Sequence, residues 1–574
     1  MTNLVRPAAP LYPLTHFNPS IIALIAVVTI ATPAAAQLQV TTKSGAPARA
    51  DACISATERA NARLQVDAYF AQQSAPSGAQ PFGPAITPYL LQPIGGQLYQ
   101  DVFNMNFYDL DATTGLLDWD CTAITYDGHD GVDIGLRSFG QQDAGVPVFA
   151  ALPGTVIATH DGEVDTNTCG LACTTLGNSV IIDHGNGRVG YYWHLRNGSV
   201  AVTPGASVAA GQQIGLVGSS GLSTGPHLHL GTEINGTFVE PYVGLCHPGT
   251  SLWLDQPPID RSFYLFDHGF TPVDLTTHPG SPQTFPRLGE YAVTDGPLTL
   301  WFLAANIGVD PPFTLRVRRP NGTVAGIYTG NLSTPAQLFS WHWLAFDVPE
   351  MHTLLGNWRI QLLFGTDLWI DSFVEVVPAH GPVYNDPPNA VTLLFEPAAP
   401  VSSDALQCKV GTNVLDDDPD FDIVRYNYVW SVDGVVVRDV THAALADVLA
   451  QGQLVAANSV ACTVTPSDGT LTGPSTTVDY NFGSSFQRGD CNADGSNNLS
   501  DPIFALTALF NNGPAPTCAD ACDSNDDGSF NLVDAIVALN ALFGIAGALP
   551  APATCGADPT EGDGLDCAEF AACP

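Results

Sequence analysis

Three short segments of this chain carry side chains that can bind a metal ion or move a proton. Residues 128–134 contain His129 and Asp133, residues 191–195 contain His194, and residues 225–230 contain His227 and His229. Two imidazoles and a carboxylate are a common ligand set for a catalytic zinc ion, whose fourth coordination position stays open for water. Histidines beyond that set can handle protons, because imidazole titrates near neutral pH.

The spacing of these residues suits a shared site. His227 and His229 are two apart, so in a strand they face the same way, and one can bind a metal while the other reaches water or substrate. His129 and Asp133 are four apart across a glycine-containing loop, which lets both converge on one ion. A lone histidine is usually an ordinary surface or core residue. The prediction of a site therefore depends on all five occurring together.

Strands must hold these side chains in place. From about residue 116 to 250, short β-rich segments alternate with turns of glycine, asparagine and aspartate. The clearest segments are 148–151, 155–159, 179–183, 188–193 and 213–217. Their alternating polarity and turn spacing predict an antiparallel β domain, with His194 at the end of an aromatic strand.

Residues 126–242 resemble the lysostaphin-type (LytM-like) zinc endopeptidases, which cut peptidoglycan peptides. The matching motifs are the His-x-x-x-Asp of His129 and Asp133, the aromatic-x-His-Leu around His194, and Ser-Thr-Gly-Pro-His-Leu-His at 223–229. The resemblance implies that His129, Asp133 and His229 bind one catalytic zinc ion. It also implies that His194 and His227 orient water, take its proton or stabilise the oxyanion. All five residues are present, which favours an active enzyme.

The rest of the chain predicts a multidomain, mainly β, exported protein. Residues 1–36 are typical of a signal peptide, and 37–115 form a lead-in with a helix near 56–72 that packs on the peptidase domain (116–250). Residues 255–378 and 385–482 are predicted to be two β-sandwich modules of immunoglobulin-like type. In an exported chain, cysteines favour disulfides. Cys169 with Cys173, and Cys408 with Cys462, are candidate pairs.

The formal net charge of −38, with only 18 Lys and Arg, argues against nucleic acid as a partner. After the signal segment, no apolar segment is long enough to cross a membrane. We therefore expect a secreted protein, extracellular or on the cell surface.

An internal repeat at an offset of 33 residues lies within 485–546. Each copy has oxygen-bearing side chains at the positions of a calcium loop, with glycine at position 6, followed by an apolar helix. These residues are Asp490, Asn492, Asp494, Ser496, Asn498 and Asp501, then Asp523, Asn525, Asp527, Ser529, Asn531 and Asp534. The pair resembles a dockerin-type module, which implies two calcium ions and a cohesin-like partner. An acidic, cysteine-containing tail follows at 547–574.

The sequence thus predicts a secreted zinc endopeptidase acting on peptidoglycan peptides. Two alternatives stay open. One is a non-catalytic cell-wall-binding or adhesion protein with a calcium-dependent docking module. The other is a zinc endopeptidase acting on glycine-rich extracellular protein.

Overall fold

The computed structural model describes most of the chain from residue 36 onward. The described residues are 36–37, 40–45, 54–73, 88–168, 176–273, 275, 290–308, 310–332, 337–381, 385–411, 422–454, 459–482, 486–545, 547–556, 565, 567, 570 and 572–573. The expected signal peptide, except its last residue, and the candidate Cys169–Cys173 bridge lie outside them. Within this part of the chain, no helix has the length and apolar character needed to cross a membrane.

The N-terminal segment forms two strands and one helix: β1 (Ala36–Gln37), β2 (Val40–Gly45) and α1 (Ala56–Gln73). Helix α1 begins after Ser55, whose Oγ accepts a hydrogen bond from Glu58 N at 3.0 Å, an N-cap contact. Its buried Ala62 and Val66 pack against Ile157, Ile181 and other apolar residues of the peptidase sheet. The helix therefore belongs structurally to the domain that follows it.

The peptidase domain is antiparallel, as predicted. Its elements are β3 (Val102–Asn106), β4 (Gly131–Leu136), α2 (Phe139–Ala144), β5 (Pro147–Phe149), β6 (Gly154–His160), β7 (Asn178–Asp183), β8 (Arg188–Leu195), β9 (Ser207–Val208), β10 (Gln213–Leu216), β11 (His227–Ile234) and β12 (Thr237–Phe238). The main sheet has the order β3-β4-β11-β8-β7-β6-β9, with β12 beside β11, while β5 and β10 pair separately.

The two faces of the main sheet have different roles. Val132, Ile134, Leu228 and Leu230 pack into the domain core together with Val148 of β5. Because side chains alternate along a strand, Asp133 and the histidines of β11 project from the opposite face. That face also carries α1. A disulfide joins Cys121 to Cys246 near the two ends of the domain.

The first sandwich contains β13 (Tyr264–Thr271), β14 (Glu290–Ala292), β15 (Leu298–Ile307), β16 (Pro312–Arg318), β17 (Val324–Asn331), β18 (Gln337–Phe346), β19 (Gly356–Phe364) and β20 (Asp367–Val377). Its sheets have the orders β1-β17-β16-β19-β20-β14 and β13-β15-β18-β2. The prediction that all of 37–115 is a lead-in to the peptidase domain is therefore wrong for its first residues. Strand β2 pairs along six residues of β18, from Trp341 to Phe346, and completes the sandwich.

The second sandwich contains β21 (Leu393–Glu396), β22 (Leu406–Val410), β23 (Arg425–Val432), β24 (Val435–His442), β25 (Ala446–Leu449), β26 (Ser459–Ser467) and β27 (Thr476–Asn481). Asp433 and Gly434 join β23 to β24 with φ values of 50° and 77°, as a two-residue hairpin turn requires. Cys408 and Cys462 lie on opposite sheets within one core, but they are free thiols, so the predicted bridge between them is not formed. The immunoglobulin-like assignment of both sandwiches stays a prediction.

The C-terminal module contains α3 (Ser500–Phe510), α4 (Ala519–Cys522) and α5 (Leu532–Leu542). Disulfides join Cys491 to Cys522, Cys518 to Cys567, and Cys555 to Cys573. The first links the first loop of the repeat to the end of α4, directly before the second loop. The Cys518–Cys567 disulfide links the acidic tail covalently to the module.

Candidate active site

Strand pairing brings three of the five predicted site residues together. Strands β4 and β11 are antiparallel neighbours, with His229 directly opposite Asp133. His227 lies two residues from His229 on the same face of β11. Residues directly opposite in such a pair have Cβ atoms about 5 Å apart. The register of two adjacent strands therefore places the carboxylate beside both imidazoles.

His194 reaches the site through an irregularity in β8. Between β7 and β8 the register shifts: Val180 pairs with Tyr192, but Asn178 pairs with Leu195, which leaves an extra residue on β8. His194 has φ of 65°, a left-handed conformation that is uncommon for a residue with a side chain. A bulge of this kind redirects a side chain. The His194 ring lies with its centroid 4.5 Å from that of His227.

His129, Asp133 and His229 form a tight triad, which we call the metal triad. His129 Nε2 is 3.2 Å from both Asp133 Oδ1 and His229 Nδ1, and His229 Nδ1 is 2.9 Å from Asp133 Oδ1. In the described residues, the only other group of three acidic, histidine or cysteine side chains with ligand atoms within 4.8 Å of one another is Cys518, Asp520 and Cys567, whose cysteines form a disulfide.

The tautomer of His129 follows from its other ring nitrogen. His129 Nδ1 lies 2.6 Å from the carbonyl oxygen of Phe107, so this nitrogen donates a proton and leaves the lone pair on Nε2. His229 Nδ1 lies 2.9 Å from Asp133 Oδ1, and its Nε2 lies 3.5 Å from Asp130 Oδ1, beyond hydrogen-bond contact. With the ring proton on Nε2, as metal binding through Nδ1 requires, three electron-rich atoms face one another, an arrangement that a cation stabilises. Ligands of tetrahedral zinc stand about 3.3 Å apart, so the triad fits that ion.

The two remaining histidines have a different hydrogen-bond pattern. His194 Nδ1 donates to Ser220 O at 2.7 Å, and its buried Nε2 has no hydrogen-bond partner among the described residues. His227 Nδ1 donates to Gly225 O at 2.8 Å, and its Nε2 is 3.7 Å from Asp133 Oδ1. His227 therefore presents Nε2 toward the triad, and the His194 ring lies 6.1 Å from that of His229 between centroids.

Burial and charge set the protonation of the site. All five residues are at most 2% exposed. Burial, with His227 and His229 nearby, lowers the pKa of His194 well below its usual value, so the ring is neutral. Burial alone would raise the pKa of Asp133, but the neighbouring His129 and His227 outweigh it and hold that pKa well below its ordinary range. Asp133 is therefore a carboxylate.

Sequence reasoning missed the residues that orient the triad from behind. Asn106, at the end of β3, donates to Asp133 Oδ2 at 3.0 Å, and the next residue, Phe107, supplies the carbonyl that holds His129. Both precede the predicted domain start at 116. Asp130 lies inside the first motif. An acidic residue directly after a candidate metal ligand is a sequence signal that could have identified it. Partners of this kind fix the orientation of ligand side chains.

A cleft of about 630 Å³ opens beside His129. Its lining includes Arg59 of α1, Tyr108, Asp109, Asp130 and Glu240. Most of the charged residues that line the cleft are acidic. Burial raises the pKa of Glu240 to about 8, and its two oxygens accept hydrogen bonds from the backbone of Tyr108 and Tyr242.

The predicted calcium-loop residues occupy two similar loops before α3 and α5. Asp490 accepts hydrogen bonds from the backbone of Asp494 and Gly495, and Asp523 accepts them from Asp527 and Gly528. Gly495 and Gly528 have φ values of 84° and 74°, the sharp turn expected at position 6. In the described residues, neither loop draws three carboxylates as close together as the metal triad.

Residues 127–241 match the family model described as Peptidase family M23. The chain carries an M23 peptidase domain. The predicted domain limits of 116–250 enclose this segment. All five predicted site residues lie within it.

Two characterised relatives align with the M23 domain. Peptidoglycan DD-endopeptidase ShyA of Vibrio cholerae is 33% identical over 108 residues, which cover 19% of this chain and 21% of ShyA. DD-carboxypeptidase/endopeptidase Mpg of Neisseria meningitidis is 49% identical over 65 residues, which cover 11% of this chain and 14% of Mpg. The chain thus spans about a fifth or less of the length of these relatives.

Similar solved structures include the catalytic domain of the antimicrobial peptidase lysostaphin from Staphylococcus simulans. It is 26% identical, and the match covers 24% of this chain and 86% of that chain, with a TM-score of 0.16. A putative peptidase M23 from Pseudomonas aeruginosa is 23% identical, and the match covers 32% of this chain and 57% of that chain, with a TM-score of 0.19.

Proposed function

We propose that this protein is a zinc-dependent endopeptidase that hydrolyses peptide bonds of peptidoglycan. The observation that carries the proposal is the metal triad, with three electron-rich atoms within 3.2 Å of one another, beside His194 Nε2, which has no partner among the described residues. M23 peptidases are zinc metallopeptidases. The name of ShyA, a peptidoglycan DD-endopeptidase, points to peptidoglycan peptides as the substrate class.

His129 Nε2, Asp133 Oδ1 and His229 Nδ1 would hold the zinc ion. A bound zinc ion supplies Lewis acidity, which acidifies water and polarises the scissile carbonyl. His194, neutral and with its lone pair on Nε2, takes the proton of the attacking water and returns it to the leaving amine. Neutral imidazole is suited to this exchange. His227 Nε2 carries the lone pair while Nδ1 donates to Gly225 O, so it accepts a hydrogen bond from the water and orients it.

The test is digestion of purified peptidoglycan by the full-length protein, with identification of released peptides and new amine termini. We expect zinc-dependent release that a chelator abolishes and added zinc restores. His194→Ala is the matched control, because it removes a proton-handling group and leaves the triad intact. Bound zinc without new amine termini would favour the wall-binding alternative. Cleavage of a glycine-rich protein, but not of peptidoglycan, would favour the other substrate.

The protein is proposed to act outside the cytoplasm after export. The composition of residues 1–36 supports export, and so do the four disulfides of the described residues. Disulfides persist in oxidising compartments. N-terminal sequencing of the protein recovered from culture medium would test this, with Gln37 as the expected first residue.

We further propose that the C-terminal module binds two calcium ions and docks on a cohesin-like partner. The specific observation is the repetition of the hydrogen-bonded loop in two copies, with buried Asp501 and Asp534 at position 12 of each. Burial and neighbouring carboxylates raise the pKa of both to about 6, the effect of crowded oxygens without a cation. Asn525 Oδ1 and Asp534 Oδ1 have no hydrogen-bond partner among the described residues.

The docking surface would be the apolar residues that both helices leave exposed in matching positions. Ile503 and Phe510 on α3 correspond to Ile536 and Phe543 on and after α5. Calorimetric titration should give two calcium sites, one of which Asp523→Ala removes. No heat of binding for the intact chain would refute the calcium proposal. Calcium-dependent capture by an immobilised cohesin would support docking, and Phe510→Ser/Phe543→Ser should abolish it.

A further inference from the structure

Helix α1 lies outside the M23 segment of 127–241, yet its first turn contacts the loop that carries His129 and the residue before β7. Glu58 Oε1 accepts a hydrogen bond from Gly177 N at 2.9 Å. Arg59 Nη1 is 2.8 Å from Asp130 Oδ2, and Arg59 Nη2 donates to Gly128 O at 3.4 Å. The two loop residues that Arg59 reaches flank His129 directly.

Asp130 lies between Arg59 and the metal triad. While Oδ2 pairs with Arg59, Oδ1 is 3.5 Å from His229 Nε2, and the opposite nitrogen of that ring belongs to the triad. Asp130 is only 6% exposed and His229 is fully buried. A buried carboxylate is costly without a charged partner. Among the described residues, Arg59 is the cation that supplies one.

We propose that Arg59 is a positioning residue of the active site, acting through Asp130 on the ring of His229. Arg59 pairs with Asp130 Oδ2 and so holds that carboxylate beside His229, with Oδ1 3.5 Å from Nε2 of the ring. A carboxylate held next to Nε2 favours the ring orientation in which Nδ1 faces the metal. The inference rests on the proposed function in one respect, namely that the triad binds zinc.

The same helix offers a matched control. Arg63 Nη1 is 2.8 Å from Glu233 Oε1, and Glu233 lies on β11, four residues after His229. The other oxygen of Glu233 accepts a hydrogen bond from Tyr191 Oη at 2.6 Å. Arg63→Ala therefore also removes an ion pair between α1 and the sheet. The described contacts of that pair include no residue of the metal triad.

The experiment measures zinc affinity of the full-length protein by competition with a chromophoric chelator, for Arg59→Ala, Arg59→Lys, Asp130→Asn, Arg63→Ala and the Arg59→Ala/Asp130→Asn double variant. We expect Arg59→Ala and Asp130→Asn each to weaken zinc binding by about tenfold or more, the usual effect of losing such a partner. The double variant should match either single one, and Arg59→Lys should recover part of the loss. The absorption spectrum of the cobalt-substituted protein should change in Arg59→Ala but not in Arg63→Ala.

Equal zinc affinities for Arg59→Ala and Arg63→Ala would overturn the inference. So would faster hydrolysis by Arg59→Ala at unchanged zinc affinity, which would show that α1 covers the cleft instead. Arg59→Lys and Asp130→Asn keep the test decisive if Arg59→Ala does not fold. Failure of the proposed function is separate, because it would appear as absent zinc binding or absent hydrolysis in the unaltered protein.

Discussion

Gly131 lies directly against the ring of His229. A Cβ on residue 131 would stand 2.5 Å from His229 Nε2 and 2.6 Å from Leu230 O. Neither neighbour can yield easily, because one is a buried site residue and the other is backbone. The glycine between the first histidine and the aspartate is therefore a steric requirement of the triad.

Gly131→Ala should consequently displace His229 and abolish tight zinc binding. Gly128→Ala, in the same loop, is the control, because a Cβ there meets nothing within 4 Å and only the φ of 71° opposes it. We expect Gly128→Ala to cost about 1 kcal/mol of stability and to keep zinc. Metal content after gel filtration distinguishes the two. Full zinc occupancy in Gly131→Ala would contradict the steric argument.

The five site residues should divide into two groups on substitution. His229→Ala and Asp133→Ala remove triad atoms and should lose zinc together with hydrolysis. His194→Ala and His227→Ala should retain zinc but lose hydrolysis by at least 100-fold, since general acid–base groups contribute about 10²–10⁴-fold. Metal analysis and peptide release, measured on the same samples, check this division. Loss of zinc from His194→Ala or His227→Ala would contradict the roles we assign.

Asp101 predicts a pH dependence of stability. The fully buried carboxylate accepts hydrogen bonds from Gln97 N and, in the second sandwich, from Leu445 N at 2.8 Å. Burial raises its pKa from 3.8 to about 6. Between these values the folded state binds more protons than the unfolded state, so this group's contribution to the free energy of unfolding falls as pH rises from about 4 to 6. The decrease should reach about 3 kcal/mol.

This effect can be measured by urea unfolding of the full-length protein between pH 4 and 7. The unfolding transition of the peptidase domain is the one to monitor. Asp101→Asn cannot ionise, so its unfolding free energy should depend less on pH over that range, whatever its absolute stability. An unchanged slope in Asp101→Asn would assign the pH dependence to other groups.

The Cys121–Cys246 disulfide should contribute strongly to the stability of the peptidase domain. It closes a loop with a sequence separation of 125 residues, and closing long loops restricts the unfolded chain most. We expect Cys121→Ser/Cys246→Ser to lower the free energy of unfolding by about 2–5 kcal/mol. Reductant should destabilise this domain in the unaltered protein and have no effect on it in the double variant. An equal response of both proteins would argue against this bond.

The convergence of Asp133 with His229 could be predicted because it depends on short-range rules. Alternation along a strand places His227 and His229 on one face, and the family motifs indicate that a second strand brings Asp133. The position of His194 depends on a register shift at the end of β8 and a left-handed φ, which regular alternation does not anticipate. Without that bulge, its side chain would project from the sheet face opposite to that of Trp193.

Contacts between residues distant in sequence could not be predicted from local pattern. Asn106 and Arg59 reach the site from 27 and 71 positions before Asp133 and Asp130, and nothing in their own surroundings marks them. Cys408 and Cys462, which are free thiols, are a second case that local pattern could not fully predict. Their placement on opposite sheets could be inferred, whereas their redox state could not.

Because strands β1 and β2 complete the first sandwich, that sandwich is discontinuous in sequence, with the peptidase domain inserted between its parts. A fragment that begins near residue 255 would lack both strands and expose the edges of β17 and β18, and exposed edges promote aggregation. Synthesis from the N-terminus would also leave β1 and β2 without partners until more than 300 residues have been made. The peptidase domain can therefore fold first. The first sandwich is completed later, when β17 and β18 pair with β1 and β2.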